Sequence, residues 1–240
     1  MAHSAEKLYQ DYWLGAEETR QKRSYYDRLY RRVLPRIQVQ EGWKLLDVAG
    51  GDGQFMRYLG IQQADILDIS HSGLDIAKKA GFSVYFGDIQ ARFPLQEENY
   101  DAVFLFEVLE HLYYPNKTLA EIHNVLKKDG ILYVGQPNMR SDGVHHVRRY
   151  YLQGLLDDLD KTGFAIDWVD YVPAYSMRDS ILSDIKKNPS ALRKLIQCVN
   201  LILSFLPWAC RYQMAKWIPN RFALLFIVKA RKKNEHEKRD

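Results

Sequence analysis

Cysteine is nearly absent from this chain: among 240 residues there are two, Cys198 and Cys210. They fall in one segment, with neither metal-ribbon spacing nor the density of a secreted disulfide framework, so reduced thiols in a cytoplasmic protein are expected. A large charge excess is missing too. The formal net charge is +4, and part of it sits in the tail "KARKKNEHEKRD". That tail reads as solvated and, over 231–240, disordered, rather than as a nucleic-acid patch. The first residues, "MAHSAEKLYQDYW", hold no apolar signal core and predict no export. The most apolar stretch, 195–206, is interrupted by Gln197 and Asn200 and stopped by Pro207. It falls short of the roughly 20 residues a membrane span needs. No repeat or low-complexity block appears. What is present is 47% hydrophobic content, ample for the core of one α/β domain with an insertion.

Residues 5–34 place Leu8, Tyr9, Tyr12, Trp13, Tyr26, Leu29, Tyr30 and Val33 at helical spacing, ending before Pro35, which predicts an N-terminal helical cap. From there the pattern alternates. Strands are expected at 44–49, 64–69, 82–87, 100–106 and 130–135, then over "AIDWVDYV" and 221–230. Helices are expected at 54–59, from Ser70 to a stop at Gly81, over 116–128 with Lys127 and Lys128 in the last turn, and within "RRYYLQGLLDDLDKTGF" up to Gly163. Strand–helix alternation of this kind specifies a parallel sheet covered on both faces.

The first strand ends in "LLDVAGGDG". In an open parallel sheet, ligands bind outside the carboxyl ends of the strands, where strand order switches. Gly51 and Gly53 permit a tight turn and close ligand approach. A dinucleotide fingerprint fails, because its sixth place from Gly51 is Met56. Asp47 and Asp52 are also poor neighbours for a pyrophosphate, and suit a ligand carrying an ammonium and a sulfonium. The motif resembles that of the class I S-adenosylmethionine-dependent methyltransferases, with Ala49 in place of the first glycine. Alanine is tolerated there if its φ stays negative. The resemblance continues through "ILDISHSGLDIAKKAG", "VYFGDIQ" and "YDAVFLFEVLEHLYYPNKTLAEIHNVLKKDGILYVGQPN", in the family's order over 44–138.

The resemblance implies a Rossmann-like, doubly wound, mostly parallel seven-stranded sheet whose last strand is antiparallel, with a helical insertion before it. It implies S-adenosylmethionine as cofactor. Asp47, Ala49, Gly50, Gly51 and Gly53 would form its cradle, and Asp68 would take both ribose hydroxyls. Asp88 would accept from the adenine amino group, Ile69 and Ile89 would pack beside the nucleoside, and Phe106 and Glu107 would close the pocket. Tyr9 and Trp13, at i and i+4, either close over the bound donor and face its sulfonium or pack in the core.

Glu107, Glu110 and His111 would share one face if a helix starts at the end of the fourth strand. That element resembles both the ubiquinone-biosynthesis O-methyltransferases and the small-RNA 2′-O-methyltransferases, where it has been assigned to a divalent metal. The favoured reading has no metal, with His111, His145 or His146 as base; the metal reading takes Glu107, Glu110 and His111 as ligands, with a fourth from His145 or His146. "HHVRRYY" resembles the acceptor loop of the broad bacterial subgroup, which offers Arg148, Arg149 and Tyr150 to the acceptor. Either arginine equally suits a solvated helix start.

Residues 180–220 interrupt the pattern with apolar and basic sequence. They read as a lid over the acceptor, a dimer surface, or an interfacial anchor meeting anionic headgroups. The lid is preferred, in one methyltransferase domain spanning 1–240, monomeric or homodimeric, with peripheral membrane contact through the insert as one reading. The expected function is O-methylation of a small or lipid-linked hydroxyl acceptor such as a sugar or quinol. The alternatives are RNA 2′-O-methylation and a non-catalytic scaffold. No DNA partner is expected, since the Asn/Asp-Pro-Pro-aromatic element of amino-methylating enzymes is missing after "FLFEVL".

Overall fold

The alternating pattern folds as seven strands in the order β3-β2-β1-β4-β5-β7-β6, in a computed structural model that describes residues 31–138, 146–173 and 205–234. β1 (Leu45–Val48), β2 (Asp65–Asp68) and β4 (Tyr100–Phe106) are buried almost throughout, which is why their sequences show runs rather than alternation. β3 (Ser83–Phe86) and β6 (Phe164–Pro173) lie at the two edges. β1 pairs in parallel with β2 and β4, β2 with β3, and β4 with β5 (Leu126–Pro137). β7 (Ala223–Lys232) runs antiparallel to both β5 and β6. This is the doubly wound sheet with an antiparallel last strand that the sequence predicts.

Side-chain alternation divides the core between the two faces. Leu46, Val48, Val103, Leu105, Leu132 and Val134 pack on one side. Leu45, Ile66, Phe104, Phe106 and Tyr133 pack on the other. α1 (Gln54–Tyr58) follows β1, and α2 (His71–Lys79) follows β2. The Ser70 hydroxyl caps α2 by accepting from the Gly73 N–H at 3.2 Å, and the chain leaves the helix through Gly81 at φ 97°. α3 (Pro115–Val125) and α4 (Leu152–Lys161) bury Leu119, Ile122, Leu155 and Leu159 on the first face. The strand order reverses between β1 and β4, so the crevice lies at their carboxyl ends.

Two expectations fail around residue 126. The helix expected to reach 128 ends at Val125, and the following strand begins at Leu126 rather than at Gly130. Leu126 pairs with Tyr100 across a register shift, and Lys127 reaches Asp101 at 2.8 Å. Asp129, at φ 60°, makes the irregular step before Gly130. Sheet pairing and burial of Leu126 thus outweigh the lysine-and-glycine signal for a helix end.

Of the N-terminal cap over 5–34, only 31–34 belong to the described residues; Tyr9 and Trp13 lie outside them, as do 180–204 of the insert. The described end of the insert forms α5 (Trp208–Trp217) and α6 (Pro219–Phe222). The Arg32 guanidinium stands 4.2 Å over the Trp208 ring. The Tyr212 hydroxyl donates to Asp170 at 2.7 Å, and Arg36 bonds the same carboxylate. No helix among the described residues is long and apolar enough to cross a membrane.

Candidate active site

The loop leaving β1 is built around one carboxylate. A Cβ at Gly50 would sit 2.6 Å from both Cγ and Oδ2 of Asp47, so the acid itself demands glycine there. Gly51 and Gly53 are left-handed at φ 52° and 71°. Ala49, expected to keep a negative φ, is left-handed as well, at φ 59°. Its N–H donates to the Leu67 carbonyl at 2.7 Å, and this tie to β2 holds a conformation that costs an L-residue about 1 kcal/mol.

Asp47 is 3% exposed, and its Oδ2 is buried with no hydrogen-bond partner among the described residues. Burial holds this carboxyl well above the usual carboxylate range, and the charges of Asp68 and Asp52 push the same way. Asp68, at the end of β2, accepts from the Gly51 N–H through Oδ2 at 2.9 Å and from the Ser70 N–H through Oδ1 at 2.8 Å. Burial still raises it, against those two bonds. Asp52 differs from the expectation that it faces the ligand. Its Oδ1 accepts from the Gln54 N–H at 2.9 Å and its Oδ2 pairs with Arg57 at 3.0 Å, so its charge is met within the loop. Asp88 forms an Asx turn, accepting from the Gln90 N–H at 2.9 Å.

The neighbouring apolar residues divide. Ile69 is half-buried beyond β2, whereas Ile89 belongs to the packed core. Phe106 packs on Phe55 with ring centroids 4.3 Å apart, and a Cβ at Gly135 would come within 2.0 Å of its ring. It is a core ring that leaves room only for glycine on β5.

Beyond β4 no α-helix starts. Glu107 is left-handed at φ 55°, its N–H held by the Gly135 carbonyl at 2.7 Å, and a 3-10 turn covers Leu109–His111. Glu107, Glu110 and His111 therefore do not share a helical face. The fold instead collects Glu110, His111 and His146, whose ligand-type atoms lie within 4.8 Å of one another. The two imidazoles meet edge-on at 4.8 Å. The Glu110 carbonyl draws in the far loop by accepting from the Val147 and Arg148 N–H groups at 2.9 and 3.2 Å. Glu110 is buried, and its Oε2 accepts from Gln136 Nε2 at 3.1 Å. Burial first, and the Glu107 charge second, push its carboxyl up to about 8.

The other loop residues take different places. Arg148 donates to the Tyr113 carbonyl at 3.2 Å, joining two loops, and Arg149 is exposed. Tyr150, expected at the acceptor, lies in the core, its hydroxyl donating to Asp158 at 2.9 Å. His145 lies outside the described residues.

Residues 46–134, which carry nearly all of these groups, match the family model described as a methyltransferase domain. They form a class I S-adenosylmethionine-dependent methyltransferase domain. A curated relative, the ubiquinone/menaquinone biosynthesis C-methyltransferase UbiE of Bartonella bacilliformis, is 32% identical over 101 residues, covering 37% of this chain and 39% of the relative. The chain thus matches well under half of that relative's length. Among solved structures, an Archaeoglobus fulgidus S-adenosylmethionine-dependent methyltransferase superposes with a TM-score of 0.59 at 17% identity, over 94% of this chain and 98% of that one. The [4+2]-cyclase SpnF superposes with a TM-score of 0.58 at 22% identity, over 86% and 80%. These two likenesses concern the fold, and the cyclase shows that the fold alone does not name a reaction.

S-adenosylmethionine is the cofactor this methyltransferase domain implies. The residues fit it. Asp47 offers an unmet buried acceptor oxygen, the loop at Gly50 keeps side chains away, and the mutual repulsion of Asp47 and Asp68 favours a cation between them. On the other side, one carboxylate and two imidazoles form a donor set that a divalent ion accepts. Sequence reading missed Gln136 and Asn138, which lie just past the matched residues. Their signal was present in "YVGQPN", where an apolar strand ends in two amides at i and i+2.

Proposed function

We propose that this chain transfers a methyl group from S-adenosylmethionine to a hydroxyl oxygen of a small or lipid-linked acceptor such as a sugar or quinol. One observation carries the reading. An acid-lined crevice with an unmet carboxylate oxygen lies on the β1 side of the switch point, and a cluster of proton-accepting groups lies on the β4 side. The cofactor, when bound, supplies a methyl group already activated on a sulfonium. Asp47 and Asp68 offset positive charge, and the Gly50–Gly51 backbone permits close approach. His111 or His146 takes up the hydroxyl proton and, being half-buried, passes it toward solvent, while Glu110, which keeps its own proton below about pH 8, positions the cluster. Alignment supplies most of the remaining acceleration. Within this reading the chain is one domain, and the insert over 180–220 serves as lid to the acceptor.

A second reading is carbon methylation of an electron-rich ring, favoured by the C-methyltransferase relative. The same groups would remove a ring hydroxyl proton. Calorimetry with S-adenosylmethionine, followed by transfer of labelled methyl to phenolic and sugar acceptors, tests both. Product mass spectrometry separates an ether from a C-methyl group. No heat of binding at millimolar donor overturns the proposal. Full activity after EDTA treatment removes a metal from the Glu110 cluster; loss of activity restored by a divalent ion installs one.

A further inference from the structure

The end of β5 carries two acceptor oxygens with no hydrogen-bond partner among the described residues. Gln136 is 1% exposed and gives its Nε2 to Glu110, while its Oε1 is buried without a partner. Asn138 is 3% exposed and gives its Nδ2 to the carbonyls of Pro219 and Ala223, at 3.2 and 2.8 Å, while its Oδ1 is likewise unmet. The Asn138 N–H continues the ladder to the Leu224 carbonyl at 2.9 Å. Strand alternation therefore puts both amides on the same sheet face as Leu132 and Val134. Their donor ends fix the orientation of each amide, so neither oxygen can turn away.

Buried polar groups are almost always paired, and an exception calls for an explanation. Two of the same kind at i and i+2 at the carboxyl end of β5, the first of them bonded to Glu110, ask for a molecule bringing donors. We infer that the end of β5 is an acceptor-specificity wall, selecting a molecule with at least two hydroxyl groups on one ring. The hydroxyl to be methylated lies at the Glu110–His146 end; in the resting complex it donates to Gln136 Oε1, and it turns to His146, which takes its proton, as the methyl group transfers. A second hydroxyl donates to Asn138 Oδ1, one strand repeat further on. The approach is from the histidine side, where the His111 side chain is 23% exposed. An acceptor lacking the second hydroxyl would leave the Asn138 oxygen unmet in the complex, the circumstance in which polar sites discriminate most strongly. The wall deepens the methyl-transfer reading and rests on it for the role of the bound molecule.

Ring diols come from two sources, reduced quinones and sugars, and the probes separate them. Protein saturated with S-adenosylhomocysteine is titrated with hydroquinone against phenol, and with cyclohexane-1,2-diol against cyclohexanol, by ligand-observed NMR. At least tenfold tighter binding of one diol than of its mono-ol is expected, in whichever arm matches the natural ring. In Gln136→Met, which keeps the length of the side chain, that preference should fall to about threefold or less. Donor affinity of the variant, measured by calorimetry, should equal that of the wild type and reports that the fold is intact. Equal binding of diols and mono-ols, binding of no probe, or an unchanged preference in Gln136→Met overturns the wall. Failure of the methyl-transfer reading shows separately, as loss of donor binding by the wild type.

Discussion

The two sides of the crevice hold their acids in different ways. On the β1–β3 side most ties to the acids are backbone ones: Asp68 to the Gly51 and Ser70 N–H groups, Asp52 to Gln54 as well as to Arg57, and Asp88 to Gln90. On the β4–β5 side Glu110 is held by a side chain, Gln136, and neighbours two imidazoles from separate segments. Backbone ties preorganise a constant shape, suited to a cofactor that never varies. Side-chain ties can be rewritten by single substitutions, suited to an acceptor that differs between relatives.

Glu110→Gln sharpens that contrast most. The folded carboxyl titrates at about 8 against 4.5 unperturbed. Between those values the unfolded chain has released a proton that the folded chain keeps. Stability therefore falls as pH rises from about 4.5 to about 8, and the whole penalty is present above that range. Urea unfolding at pH 9 should find the glutamine variant more stable than wild type, by roughly 5 kcal/mol at most, and the two nearly equal near pH 5. Donor affinity should not change. A stability difference independent of pH would break the assignment.

Gly50→Ala acts on the other side. The new methyl meets the Asp47 carboxyl at 2.6 Å, and overpacking at a rigid site costs about 3 kcal/mol, or roughly 100-fold in affinity. Calorimetry should show that loss for S-adenosylmethionine. Retained affinity would mean that the loop yields and that the comparison is overdrawn. Asp68→Ala should lose donor affinity and also about 2 kcal/mol of stability, because two backbone N–H groups lose their charged acceptor. An unchanged melting temperature would show those ties to be dispensable. The smallest effect is expected from Ala49→Gly, a gain of about 1 kcal/mol in urea unfolding through relief of the left-handed alanine. No gain would place the strain elsewhere.

The same division explains what could be read from the sequence. Asp47, Asp68 and Asp88 stand at or near successive strand ends in one order along the chain, so the family resemblance could name them from the sequence. The Glu110 cluster joins residues 107–111, 136–138 and 146–148, and no spacing rule links them. A helix expected at Glu107 suggested a shared face that the left-handed backbone removes. Near 126 the apolar stripe of α3 continued past its end, because Leu126 serves the core equally well from a strand. Tyr150 looked like an acceptor contact because its motif neighbours are polar, but burial against Asp158 decides its place.

Pro173 and Ala223 are partners on one rung between β6 and β7. The chain thus leaves the sheet after Pro173 and rejoins it at Ala223 on the same rung. Doubling the length of such a loop raises its closure cost by only about 0.6 kcal/mol. The segment can therefore be lengthened or trimmed during divergence at little closure cost while the strands on either side keep their register.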